Sequence, residues 1–103
     1  MNLEDFCNNL KTTGLPVAYR AFTEEEAPKF PYICYSNPED NNFAADGKVF
    51  YSSKEVRVEL YTKNKEIETE EKVEQALSSF FYEKTENYID SEKCYQIVYE
   101  LEV

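Results

Sequence analysis

Three consecutive segments in the second half of the chain change hydrophobic period from two residues to 3.6 and back to two. Lys54–Tyr61 (KEVRVELY) alternates, with Val56, Val58 and Leu60 on one face and Glu55, Arg57, Glu59 and Tyr61 on the other. Glu66–Phe81 takes helical spacing, with Val73, Ala76, Leu77, Phe80 and Phe81 at i, i+3, i+4, i+7 and i+8. Lys93–Val103 alternates again, placing Tyr95, Ile97, Tyr99, Leu101 and Val103 on one face. Strands present alternate residues to opposite sides and helices gather every third or fourth residue, so this order predicts a sheet with a helix laid across it. The last segment runs to the final residue, and an end that does not fray needs a neighbouring strand to hold it.

The first half supplies shorter elements. Leu3, Phe6, Cys7 and Leu10 share a helical face, Asn2 suits the N-cap, Glu4 and Asp5 suit the positive end of the dipole, and Gly14 with Pro16 stops the helix. Val17–Phe22 and Phe30–Ser36 read as strands joined by the acidic connector Thr23–Lys29, with Pro31 at the start of the second. Asn37–Gly47 carries turn chemistry around a lone apolar residue, Phe43, and reads as a long polar loop. Lys48–Thr62 reads as one long strand with a bulge near Ser52-Ser53. The second helix begins near Asn64 or Thr69, and Glu83–Ser91 is either a loop or a brief strand at Asn87–Ile89. The predicted architecture is one α+β domain over 1–103, an antiparallel sheet of about five strands with two helices on one face, in the order α-β-β-β-β-α-β. A chain of 103 residues buries about 65% of its unfolded surface, enough for one core without a deep cleft.

The residue types narrow the chemistry. There is no histidine, which removes Ser-His-Asp and Cys-His catalysis and histidine metal sites. Glycine, with two residues, is too scarce for a phosphate-cradling loop. Cys7, Cys34 and Cys94 are widely separated, an odd set that reads as reduced, buried core residues. The expectation is a protein that is not an enzyme and that uses no cofactor or metal. With 21 acidic against 11 basic residues, a net charge of −10 repels both nucleic-acid phosphate and anionic lipid, making nucleic acid and membrane poor partners. No apolar run approaches a membrane span and no secretory leader is evident, which predicts an intracellular protein.

Binding features remain. The loop's Asp40, Phe43 and Asp46 form one candidate protein contact, although the oxygen-rich stretch does not follow a calcium-loop pattern. Glu70, Glu71 and Glu74 form another on the second helix, and so does the run Glu24–Glu26, where the plain alternative is a solvated face. Tyr61, with Tyr51, is a third, on a sheet face that is either an aromatic contact surface or a simply solvated one.

The chain resembles the small tail-terminator or tail-completion (head–tail joining) proteins of long-tailed phages and prophages. The matching stretches are the N-terminal helix with Leu3, Phe6 and Leu10, then FPYICYS (Phe30–Ser36), VRVELYTKNKE (Val56–Glu66), EKVEQALSSFFYEK (Glu71–Lys84) and YQIVYELEV (Tyr95–Val103). This resemblance implies a compact α+β subunit, a hexameric ring on the tail tube, and a location in the virion tail after assembly in the bacterial cytoplasm. It further implies as partners other copies of the chain, the tail-tube protein and a head-completion protein. The competing expectation is an acidic DNA mimic that occupies the basic site of a nucleic-acid-binding enzyme. A third is a generic bacterial adaptor domain.

Overall fold

The computed structural model describes the backbone of residues 1–38, 40–45 and 48–103, and the side chains of residues 1–38 and 54–103. Eight elements follow in chain order: α1 (Leu3–Lys11), β1 (Val17–Tyr19), β2 (Tyr32–Ser36), β3 (Asp40–Ala45), β4 (Lys48–Thr62), α2 (Ile67–Ala76), β5 (Tyr82–Ile89) and β6 (Cys94–Glu102). Five strands lie side by side in the order β1-β2-β4-β6-β5, while β3 pairs with β4 alone. The fold is α+β with two helices, as the periodicity predicts.

Two features of the predicted architecture are corrected. The sheet is mixed, because β1 runs parallel to β2 while β2–β4, β4–β6 and β5–β6 are antiparallel. Residues 20–31 separate β1 from β2, about a dozen residues, which is the length a parallel crossover needs. The order is α-β-β-β-β-α-β-β, because Tyr82–Ile89 forms a full strand where a loop or short strand was predicted. That strand is nearly all exposed and shows no apolar alternation, as an edge strand need not.

The core forms where the predicted faces meet. Val17, Ile33, Leu60 and Ile97 line up across β1, β2, β4 and β6, and Tyr19, Tyr35, Val58 and Tyr99 make the next row. Phe6 and Leu10 of α1, Val73 of α2 and its cap residue Leu77 close over this face, and all four are fully buried. The helices are tied to each other by Asn9 Nδ2, which donates to the Ala76 carbonyl at 2.6 Å and so occupies an orphan acceptor at the end of α2. Asn2 caps α1 by accepting from the Asp5 N–H at 2.7 Å. Gly14, at φ +81°, turns the chain after the helix in a conformation that costs any residue with a Cβ.

Several boundaries shift for identifiable reasons. β1 stops at Tyr19 because Arg20 takes a positive φ of 67° and its N–H turns to the Tyr35 carbonyl at 2.7 Å. α2 ends at Ala76 with Leu77 as its cap, five residues short of Phe81, to which the 3.6 period runs. Phe80 then folds back edge-on to Phe6, with ring centroids 5.8 Å apart, while Phe81 points outward fully exposed. β4 is one continuous strand, but the irregularity is not at Ser52-Ser53, which pair regularly with Asn42 and Asn41. It falls where Phe43 pairs with Tyr51 and Ala44 with Val49, leaving Phe50 as the extra residue.

Candidate protein-interaction surfaces

The acidic flank of α2 is largely consumed inside the molecule. Glu70 is 2% exposed. The Lys65 ammonium lies 2.7 Å from its Oε2 and the Lys84 ammonium 2.9 Å from its Oε1. Lys84 also donates to Glu74 Oε2 at 2.8 Å, and the same oxygen accepts from the fully buried Tyr99 hydroxyl at 2.8 Å. Lys65 reaches on to Glu86 of β5. Burial pushes the Glu70 carboxyl up, but hydrogen bonds from Lys65 and Lys84 outweigh this and hold it below the usual carboxylate range. Burial pulls Lys84 down, and its bonds to Glu74 and Glu70 more than reverse that. The Tyr99 hydroxyl is raised by burial and then by Glu74. Of the three helix carboxylates named from the sequence, Glu70 and Glu74 therefore fasten α2 to β5 and β6, and Glu71 alone stands exposed. Lys65 comes from the segment just ahead of α2, but Lys84 and Tyr99 come from strands β5 and β6, so charge counting along the helix does not find those two.

The sheet face turned away from the helices is neither bare nor uniformly solvated near Tyr61. Tyr61 stacks on Tyr32 with centroids 5.1 Å apart, and Tyr32 in turn meets Phe30 at 5.5 Å and Phe22 at 5.4 Å. The acidic connector between β1 and β2 thus brings its two phenylalanines onto this face. Below the aromatic group lies a polar one centred on Glu59. It accepts from Arg57 Nε at 3.0 Å, from Gln96 Nε2 at 3.2 Å and from the Tyr61 hydroxyl, which also accepts from Gln96 at 3.1 Å. Burial, and then the Glu59 carboxylate, raise the Tyr61 hydroxyl above its ordinary range. Tyr61 is thereby committed to contacts within its own sheet. Tyr95 and Tyr99, placed from the sequence on the apolar face of the last strand, lie on the opposite, helix-covered face, where Tyr99 is fully buried.

Cys34 lies beside Glu59 on the same face, 4% exposed. Burial, followed by the nearby Glu59 charge, pushes its thiol up to about 11, and burial raises Cys94 as well. Both behave as small core residues. Among the described residues no group of three or more Cys, Asp or Glu side chains is arranged to hold a metal, and no helix is long and apolar enough to cross a membrane.

The predicted polar loop is corrected to a hairpin arm. Asp40 and Phe43 sit in β3, paired with Lys54 and Tyr51 of β4. Asp46 lies outside the described residues, as do the side chains of Asp40, Phe43 and Tyr51. The turn-forming letters of DNNFAA become a strand because the long partner β4 offers them a ladder, which local chemistry does not reveal. The remaining feature that spacing misplaces is Phe81, assigned to the apolar stripe of α2 but found fully exposed ahead of β5. Compared with known proteins, the sequence matches no family model and no curated protein.

Proposed function

We propose that the chain is a non-enzymatic structural protein of a phage or prophage tail, which ends tail-tube growth and forms the head-joining surface as a homo-oligomeric ring. The observation that supports this most is the β3–β4 arm. β4 is fifteen residues long, and its first half leaves the five-strand sheet to pair with β3 only. A lone two-stranded ribbon is marginal in water, so an arm of this kind gains its order from something it docks against. Closed rings need two different surfaces that meet between neighbouring copies. The arm and the outer edge of β5, which pairs on one side only, offer two such surfaces on one subunit. Glu70 and Glu74 of α2 and Tyr61 fit the same reading, since they serve packing inside the subunit. The tail-tube protein and a head-completion protein are the further partners this role requires.

The test is co-sedimentation of the purified chain with tubes assembled from the tail-tube protein of the phage or prophage that encodes it, viewed by negative stain. Rings at tube ends are the expected result, and a chain lacking Asn41–Ala45 is expected to lose them. Full tube binding by that shortened chain would sink the assignment of the arm. Salt-sensitive capture of a DNA-binding enzyme, with no tube association, would instead favour the DNA-mimic reading.

A further inference from the structure

The backbone of the β3–β4 arm has one side open. Lys54 and Val103 continue the β4–β6 ladder by one rung, with the Val103 N–H donating to the Lys54 carbonyl at 2.9 Å and the Lys54 N–H to the Val103 carbonyl at 3.4 Å. Alternate residues of an antiparallel strand turn their backbone groups to the same side, so the N–H and carbonyl of Ser52 face the way those of Lys54 do. β3 lies on the other side of β4, since Asp40 stands opposite a Lys54 whose own bonds go to Val103. Among the described residues no strand meets Ser52 on the open side. β5 has a matching edge. The same alternation, carried across β6, commits the backbone of Glu83, Thr85, Asn87 and Ile89 to β6 and turns that of Tyr82, Lys84, Glu86 and Tyr88 outward. Open edges are commonly blunted by proline or by a lysine held over them. Neither 48–53 nor 82–89 contains proline. The lysine of β5, Lys84, turns its ammonium to Glu70 and Glu74 of α2 and does not guard the edge.

We propose that β4 of one copy adds, through residues 48–53, to the outer edge of β5 of a second copy, so that the sheet continues from subunit to subunit by backbone hydrogen bonds. Local charge selects this occupant. Residues 48–54 carry two lysines and no acid in a chain of net charge −10, whereas 82–89 carries Glu83 and Glu86 against Lys84. The two edges are therefore opposite in sign and both lack a strand. They are also different surfaces, so the contact is head-to-tail and leaves one of each edge free to continue, as ring closure requires. The inference rests on the ring reading above and names the junction between its subunits.

The experiment follows association of the full chain by sedimentation velocity over a concentration series, alone and with tail tubes. Proline at an outward rung removes the open N–H and spares the ladder to β6. Glu86→Pro is expected to weaken association about tenfold, whereas Glu86→Ala, which keeps the N–H, stays within about twofold. Ser52→Pro, outside the five-strand sheet, is expected to act like Glu86→Pro, and circular dichroism checks that both variants are folded. Each variant keeps the edge that the other lacks, so an equimolar mixture should form dimers near wild-type strength and nothing larger. Wild-type association by either proline variant, or a mixture of folded variants that associates no better than its components, would overturn the ladder. Rings at tube ends that survive both substitutions would overturn it and leave the ring reading intact. Association through the ladder with no rings at tube ends would instead remove the tail reading and keep the ladder. A wild-type chain that stays monomeric in both settings would overturn both.

Discussion

Replacing Lys84 with methionine isolates the ion-pair cluster that joins α2 to the sheet. Lys84 is bound to Glu70 at 2.9 Å and to Glu74 at 2.8 Å, with side-chain exposures of 37% for the lysine, 3% for Glu70 and 27% for Glu74. A hydrogen bond to a charged group is worth ~1.5–3 kcal/mol. The Glu70 bond belongs near the low end, because the lysine is solvent-screened and Lys65 still holds the other oxygen. The exposed Glu74 pair adds only about 0.5 kcal/mol. Methionine keeps most of the apolar stem, so the expected loss is about 2 kcal/mol, or roughly 8 °C in Tm for a domain of this size. Glu70→Met removes the buried charge itself and lets both lysines rehydrate, so it should cost less than Lys84→Met.

The pH dependence separates this account from simple packing loss. Glu70 has a lowered folded pKa. Its contribution is therefore complete above the unfolded value of about 4.3 and disappears as pH falls through the lower folded value. Lys84 has a raised folded pKa. Its contribution is complete below the unfolded value of about 10.4 and is lost as pH rises through the higher folded one. Urea unfolding followed by far-ultraviolet circular dichroism, at steps from pH 7.5 to pH 3.5, should show the gap between wild type and Lys84→Met closing below about pH 4. A gap smaller than about 0.5 kcal/mol at pH 7.5, or one that persists unchanged at pH 3.5, would refute the reasoning.

Thr62→Val should stabilise the protein by about 0.5–1 kcal/mol in the same urea assay, because the Thr62 hydroxyl is fully buried and has no hydrogen-bond partner among the described residues. A destabilised variant would mean that the hydroxyl is satisfied. Gly14→Ala should cost about 1 kcal/mol through backbone strain alone, since φ is +81° and an added Cβ meets nothing within 4 Å. Gly14→Asn should cost less, and equal losses for the two would argue against a left-handed turn. A thiol reagent at pH 8 should leave Cys34 and Cys94 unmodified in the folded protein and reach all three cysteines in urea. Rapid modification of Cys34 under native conditions, located by mass spectrometry, would contradict its burial.

Much of the fold was legible because it rests on residues that signal locally. Val56, Val58 and Leu60 alternate, and so do Ile97, Tyr99 and Leu101, because each strand has one face under the helices. Asn2 and Gly14 announce α1 by their own hydrogen bonding and backbone freedom. The candidate surfaces were less legible. Glu70 and Glu71 are identical letters one position apart, yet one is sealed between two ammonium groups and the other faces water. Phe80 and Phe81 part in the same way once α2 stops at its cap.

By itself the sequence determined which residues face the core, how the first helix begins and ends, and the surplus of negative charge, since these follow from period, capping chemistry and composition. Tertiary structure alone decided that β1 lies parallel to β2, that DNNFAA and YEKTENYI are strands, and which carboxylates are spent on internal pairs. The reason is that a ladder hydrogen bond or an ion pair belongs to two residues far apart in the chain, as Lys65 is from Glu86. Neither residue carries a local mark of the partner it will meet.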